Sequence, residues 1–188
     1  MKEIRRDYIF PSFVYSMDLE NLNNLNIVED AAHIKNNVET VTRTNFGGWQ
    51  SPAICKNLKT HNLNFLESEV KKAVQFVLET ERINNIELEY EYWININSEN
   101  NYNVLHNHSN ILISAVYYPF VPQDCAVNLV FVRTDGGSYF KLSENINFPV
   151  LCRTGMLVVF SPHLFHYVTA NNSKQDRISI AFNFVERR

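Results

Sequence analysis

The chain has 188 residues, 45% of them hydrophobic and 20% charged, with a formal net charge of -3. That length holds one domain with a full core and is short for two, and the composition excludes wholesale disorder. With no overall basic field, the chain lacks the electrostatic footprint of a protein that grips a nucleic acid backbone.

Residues 1–10 carry charges but no apolar stretch, so no secretory signal is expected. The longest apolar runs, such as residues 111–121, are broken by Ser, Tyr and Pro and are too short to cross a bilayer. The expected location is therefore the cytoplasm. Cys55, Cys125 and Cys152 are odd in number and form no CxxC pair, which suggests buried free thiols rather than a zinc site or a disulfide framework.

In chain order, residues 8–15 alternate loosely around Pro11 and predict an edge strand. Residues 22–38 carry Leu, Ile and Ala at loose helical spacing. Residues 46–51, Phe-Gly-Gly-Trp-Gln-Ser, predict a loop, as does the second glycine pair, Gly136-Gly137. Leu63, Leu66, Val70, Ala73, Val74, Val77 and Leu78 recur at three and four residues, one apolar stripe on a helix over residues 63–80. From residue 86 the period changes to two. Residues 86–97 alternate almost strictly, and further strands are expected at 111–118, 126–133, 139–142, 156–160, 165–170 and 177–185. Helices first and many short strands after predict an α+β fold in a single domain, 1–188. Its core would be a jelly roll, a double-stranded β-helix, over about 86–186, supported by N-terminal helices over about 20–80.

The chemistry lies in the strand-rich part. His106-Asn107-His108 places two imidazoles at i and i+2, on one face of an extended segment. His166 follows Gly155 through a hydrophobic strand and Ser161-Pro162, and Arg177-Ile178-Ser179 comes soon after. Neutral imidazoles suit Fe(II), and three protein ligands on one face of an octahedron leave room for a co-substrate and O₂. A 2-oxo acid that chelates the metal needs a buried cation for its far carboxylate, and Arg offers a planar fork for it. Arg177 and Ser179 point the same way on a strand, so together they could hold one carboxylate.

Residues 93–183 resemble the 2-oxoglutarate/Fe(II)-dependent oxygenases, in particular the branch with His-x-His, Ser-x-Val-Tyr-Tyr, Gly-x-Leu-x-x-Phe-x-Pro-x-x-x-His-x-Val and Arg-x-Ser-x-x-Phe-Asn. Here these segments are His106 to His108, Ser114 to Tyr118, Gly155 to Val168 and Arg177 to Asn183, and Gly47 to Ser51 matches a Gly-Gly-Trp-Gln-Ser loop of that branch. The resemblance implies a dioxygenase that uses Fe(II), 2-oxoglutarate and O₂, releases succinate and CO₂, and hydroxylates a substrate. It implies His106, His108 and His166 as metal ligands, and Arg177 with Ser179 on the distal carboxylate. Asn95, Tyr102, Tyr117 and Asn183 become candidates for the co-substrate or the metal's surroundings, and Trp49 and Gln50 for substrate contact or a lid.

The sequence leaves alternatives open. Most of the superfamily carries a carboxylate where this chain has His108. The site is then a three-histidine triad, or Asp124 or Asp135 completes it while one histidine stands outside, or the metal is not iron. Only one of Tyr117 and Tyr118 can face inward, and Trp49 reads equally as a lid or as a plug on the core. His163 reads as a turn residue, and His33 and His61 as solvated. The rival activity is a cupin-like metalloprotein that does not use 2-oxoglutarate, and a non-catalytic jelly roll is a third reading. Against the cupin, the positions four and five after the second His are Leu112 and Ile113 rather than Glu. A protein side chain, a small metabolite and a modified nucleobase all fit as substrate.

Overall fold

A computed structural model describes residues 12–53, 60–134 and 147–187. The elements run β1 (Val14–Asp18), α1 (Asn24–Asn37), β2 (Asn45–Phe46), β3 (Trp49–Gln50), α2 (His61–Thr80), β4 (Leu88–Asn97), β5 (Tyr102–His106), β6 (Ile113–Phe120), β7 (Asn128–Val132), β8 (Asn147–Leu151), β9 (Met156–Phe160), β10 (Phe165–Val168) and β11 (Arg177–Glu186). The strands form two antiparallel sheets, a six-stranded one in the order β1-β9-β6-β11-β4-β3 and a five-stranded one in the order β2-β5-β10-β7-β8. This is the expected jelly roll. Cys55, Asp135, Gly136-Gly137 and the strand predicted over 139–142 lie outside the described residues, as does the first half, 8–11, of the edge strand predicted over 8–15. The described edge strand begins only at Val14 and pairs with β9.

Alternation in the large sheet separates two cores. Tyr92, Ile94 and Ile96 of β4 and Ile178, Ile180, Phe182 and Phe184 of β11 project to one side, under the helices. The predicted stripe of α2 covers them. Leu63, Leu66, Val70, Val74, Val77 and Leu78 are all buried, and Thr60 caps the helix by accepting from Leu63 N at 3.1 Å. α1 adds Ile27, Ala31 and Ile34. Tyr118, Val158 and Phe160 project to the other side, where they meet Leu129 and Phe131 of the small sheet. The site sits in this second, inter-sheet layer.

The segment expected to be a plain loop, residues 46–51, is instead the corner joining the two sheets. β2 pairs with β5 in the small sheet and β3 with β4 in the large one, with only Gly47-Gly48 between them. Gly47 has φ +76, and a Cβ on Gly48 would lie 2.0 Å from Asn97 Oδ1 and 3.2 Å from the Ile96 carbonyl oxygen. A two-residue crossing this tight admits no side chain. β8, which carries Pro149, lies at the outer edge of the small sheet, the position where strand prolines are tolerated. Gly48→Ala is expected to destabilise the fold by about 1–3 kcal/mol, the usual range for overpacking. Denaturant unfolding checks it, and an unchanged midpoint would show that the corner can widen freely.

Candidate active site

β5 and β10 are neighbours in the small sheet, and their register sets His106 directly opposite His166. His108 lies just past β5, where its backbone N–H donates to the Pro162 carbonyl at 2.9 Å and ties that end to the turn before β10. The three rings gather with centroids 4.2 to 5.2 Å apart. One ring nitrogen from each lies within 4.8 Å of the others, and no carboxylate of the described residues joins the cluster. Asp124 is exposed and stands outside it.

The outer nitrogens of two rings are pinned. His106 Nδ1 donates to the Val104 carbonyl at 2.7 Å, and His166 Nδ1 donates to the Leu164 carbonyl at 2.8 Å. A carbonyl only accepts, so both nitrogens carry the proton and both Nε2 lone pairs are free. His108 differs, because its Nδ1 meets the Asn183 amide nitrogen at 3.3 Å. Phe160 packs edge-on against His166 at 4.8 Å, and Trp93 lies 6.3 Å from His108. Burial by such neighbours, aided by the rings' mutual repulsion, pushes His108 down to about 4 and His166 to about 3. His106 is also lowered, chiefly by burial. All three imidazoles are therefore neutral at pH 7, with lone pairs to offer a metal.

Farther into the same layer, β11 presents Arg177, only 1% exposed. Its Nη1 donates to the Thr169 carbonyl at 3.0 Å, while its Nε has no partner. The preceding Asp176 bonds instead to Ser98 and pairs with Lys35. Burial lowers the Arg177 pKa, and the neighbours that act on it are Tyr118, Cys152 and Cys125 rather than a carboxylate. No carboxylate of the described residues pairs with it, and a buried cation with a free donor is costly by itself and is a ready receptor for an anion. Ser179, Asn95 and Asn183 line the pocket of the three histidines, whose lining does not include Arg177, and the Oδ1 of Asn95 is buried without a donor among the described residues.

Other expected residues go elsewhere. Tyr117 faces the helices, where its hydroxyl donates to Asn24 Oδ1 at 2.5 Å. Its neighbour Tyr118 is the inward one, lining the pocket with its hydroxyl against the buried Cys152 thiol. Tyr102 stacks on Phe46 at 4.8 Å and does not line the pocket. Trp49 donates to the Val38 carbonyl at 3.2 Å and packs against the helix-side core. Gln50 lines a cleft of about 400 Å³ that opens beside His106 and His108, together with Arg43, Glu91 and Trp93. His33, His61 and His163 are exposed, and Cys125 and Cys152 are buried free thiols.

Residues 91–183 match the family described as "Putative 2OG-Fe(II) oxygenase". No curated protein matches the chain in sequence. Among solved structures, the fold is similar to a prolyl-4-hydroxylase of Pseudomonas putida, at 15% identity over 93% of both chains with a TM-score of 0.68. It is similar to a prolyl hydroxylase of Trichoplax adhaerens in complex with a hypoxia inducible factor peptide, at 10% identity over 92% of this chain and 83% of that one, TM-score 0.68. HygX of Streptomyces hygroscopicus, with nickel and 2-oxoglutarate bound, aligns at 12% identity over 93% of this chain and 85% of that one, TM-score 0.60. The chain is similar to the 2-oxoglutarate- and Fe(II)-dependent oxygenases over residues 91–183. It is thus an oxidoreductase that works with Fe(II), 2-oxoglutarate and O₂. The donors fit these groups: converging neutral imidazoles suit Fe(II), and an unpaired buried guanidinium suits a carboxylate.

The depressed histidines make acid destabilising for the metal-free protein. Their folded values lie below the unfolded value of about 6.5, so the unfolded chain binds more protons and stability rises with pH. The contribution is complete above about pH 6.5 and is lost as pH falls toward about 4 and about 3. Urea unfolding of metal-free protein should show a lower midpoint at pH 5 than at pH 7.5, and His166→Asn should flatten that difference. Equal slopes in both proteins would remove His166 as a source of it.

Proposed function

We propose that His106, His108 and His166 hold Fe(II), and that Arg177, with the hydroxyls of Tyr118 and Ser179, holds the distal carboxylate of 2-oxoglutarate. We propose too that the enzyme hydroxylates a C–H bond of a substrate seated in the cleft beside Trp93. The observation that carries this is the pairing, in one inter-sheet layer, of three converging imidazoles with a buried arginine that lacks an anion. A cupin-like site without 2-oxoglutarate would leave Arg177 with no purpose that offsets its burial.

When bound, iron and 2-oxoglutarate supply the oxidative step, in which O₂ is reduced as the co-substrate loses CO₂ to become succinate. The protein's own residues position and exclude. Val104 and Leu164 orient two ligands through their Nδ1 protons. Arg177 fixes the depth and direction of the co-substrate by a charge-assisted contact. Asn95 stands in the same pocket with a free carbonyl oxygen for a donor on either substrate. Phe131 and Phe160 keep water from the His166 side of the cluster. The cleft walls of Arg43, Gln50, Glu91 and Trp93 offer both charges, an amide and an aromatic face. That mixture suits a small polar molecule or a side chain presented on a peptide. The Trichoplax relative, with its bound peptide, lends support to the latter. The single domain would act in the cytoplasm, in keeping with the free thiols Cys125 and Cys152.

Anaerobic titration of Fe(II)-loaded protein with 2-oxoglutarate tests the reading through the weak visible charge-transfer band of chelation. A band that saturates at one equivalent supports it, and bound iron with no band would favour the cupin-like alternative. His166→Ala should abolish stoichiometric iron binding. Arg177→Ala should keep iron and weaken 2-oxoglutarate by about 2–5 kcal/mol, the usual cost of breaking a buried charge pair. Unchanged affinity would place the co-substrate elsewhere.

A further inference from the structure

His108 occupies the ligand position that is a carboxylate in most of the superfamily, and it is also the one ring of the three whose tautomer no carbonyl fixes. Its Nδ1 faces Asn183 Nδ2 at 3.3 Å, while Ser114 donates its hydroxyl to Asn183 Oδ1 at 2.9 Å. Both partners are buried, Asn183 at 7% exposure and Ser114 at 1%, so water does not compete freely for these bonds. An amide nitrogen can only donate. In this arrangement His108 Nδ1 is the acceptor and the proton sits on Nε2. A ring protonated there has no lone pair on Nε2 for a metal. His106 and His166 are preset for ligation, and His108 is set against it.

Resting on the proposed ligand role of His108, we propose that Asn183 is a positioning residue whose amide turns over when metal binds, and that this turn selects the ligating tautomer of His108. After the turn, Asn183 Oδ1 accepts from His108 Nδ1–H and Asn183 Nδ2 donates to Ser114 Oγ. Both contacts of the Asn183 amide survive the turn, because a hydroxyl accepts as readily as it donates. The His108 proton leaves Nε2 and one is taken up at Nδ1 through solvent, so the ring remains neutral throughout. The amide oxygen also gives His108 an acceptor like those that the Val104 and Leu164 carbonyls give the other two rings, which raises the basicity of the ligand.

Long-range proton–nitrogen NMR of the imidazoles reads the tautomers directly. Without metal, His106 and His166 should show protons on Nδ1 and His108 on Nε2. With one equivalent of Zn(II), His108 should move its proton to Nδ1. A His108 already protonated at Nδ1 without metal would overturn the proposal. Co(II) titration followed in the visible spectrum gives the second arm. Asn183→Leu removes the acceptor and should weaken Co(II) by about 10–100-fold with an altered spectrum, the usual range for losing a ligand's outer partner. Asn183→Asp keeps the shape, accepts permanently from Nδ1–H, and should restore or exceed wild-type affinity. A purely structural role would predict the reverse, since Asp buries a charge where Leu does not. His108→Ala separates the two failures. If it leaves Co(II) affinity unchanged, the ligand role of His108 falls. If it abolishes binding while Asn183→Leu changes nothing, only the role of Asn183 falls.

Discussion

His106 and His166 face each other across the β5–β10 ladder, and the rest of the site depends on that register. A slip of one residue would turn one ring to the opposite face of the sheet, because side chains alternate strictly along a strand. Several contacts guard the register. The Gly47-Gly48 corner ties β5, through β2, to the large sheet. The His108 N–H to Pro162 bond fixes the far end of the segment. At the other end, Asn97 Nδ2 donates to Asn103 Oδ1 at 3.0 Å, and Asn171 Nδ2 donates to the Asn97 carbonyl at 2.9 Å. The cluster is thus held from two sheets by polar contacts buried against competition from water.

The charge arrangement is the second organising fact. Three imidazoles are kept neutral by burial and by each other, and Arg177 carries a positive charge that no carboxylate of the described residues offsets. Such an arrangement costs stability in the empty protein. A local rule broken without compensation inside the fold commonly marks a site whose partner comes from outside. A dicarboxylate that reaches from the metal to Arg177 would supply both the anion and the missing acceptors. With no carboxylate of the described residues in the histidine cluster, a metal held there would have its charge balanced by the co-substrate and by the polarity of groups such as Asn183.

Much of this was legible in the sequence, and the reason is periodicity. A stripe at three and four residues fixes which face α2 buries, and alternation fixes which residues of β4 and β11 share a face. Hence the sequence alone separates Arg177, Ser179 and Asn183 from Ile178, Ile180 and Phe182. The three histidines were legible because their spacing placed them at strand ends, where a jelly roll can gather them. Asn97, Asn103 and Asn171 carried no readable signal. Their role in holding the β4–β5 turn arises from pairings across long sequence separations, such as that of Asn171 with Asn97.

What the sequence by itself determined was the order of the elements, the double-sheet architecture and the set of residues on each strand face. What only the tertiary structure decided was which face meets which layer where both are apolar. In β6, Ile113, Ala115 and Tyr117 alternate with Ser114, Val116 and Tyr118, and five of these six are buried, so composition could not choose between the two tyrosines. The helices cover the first set and the small sheet covers the second, which sends Tyr117 to Asn24 and Tyr118 to the pocket. The same holds for Trp49, packed against the helix-side core, and for Tyr102, stacked on Phe46. Alternation is a local property of the chain, but the direction in which a strand turns its two faces is set by the layers that pack on it.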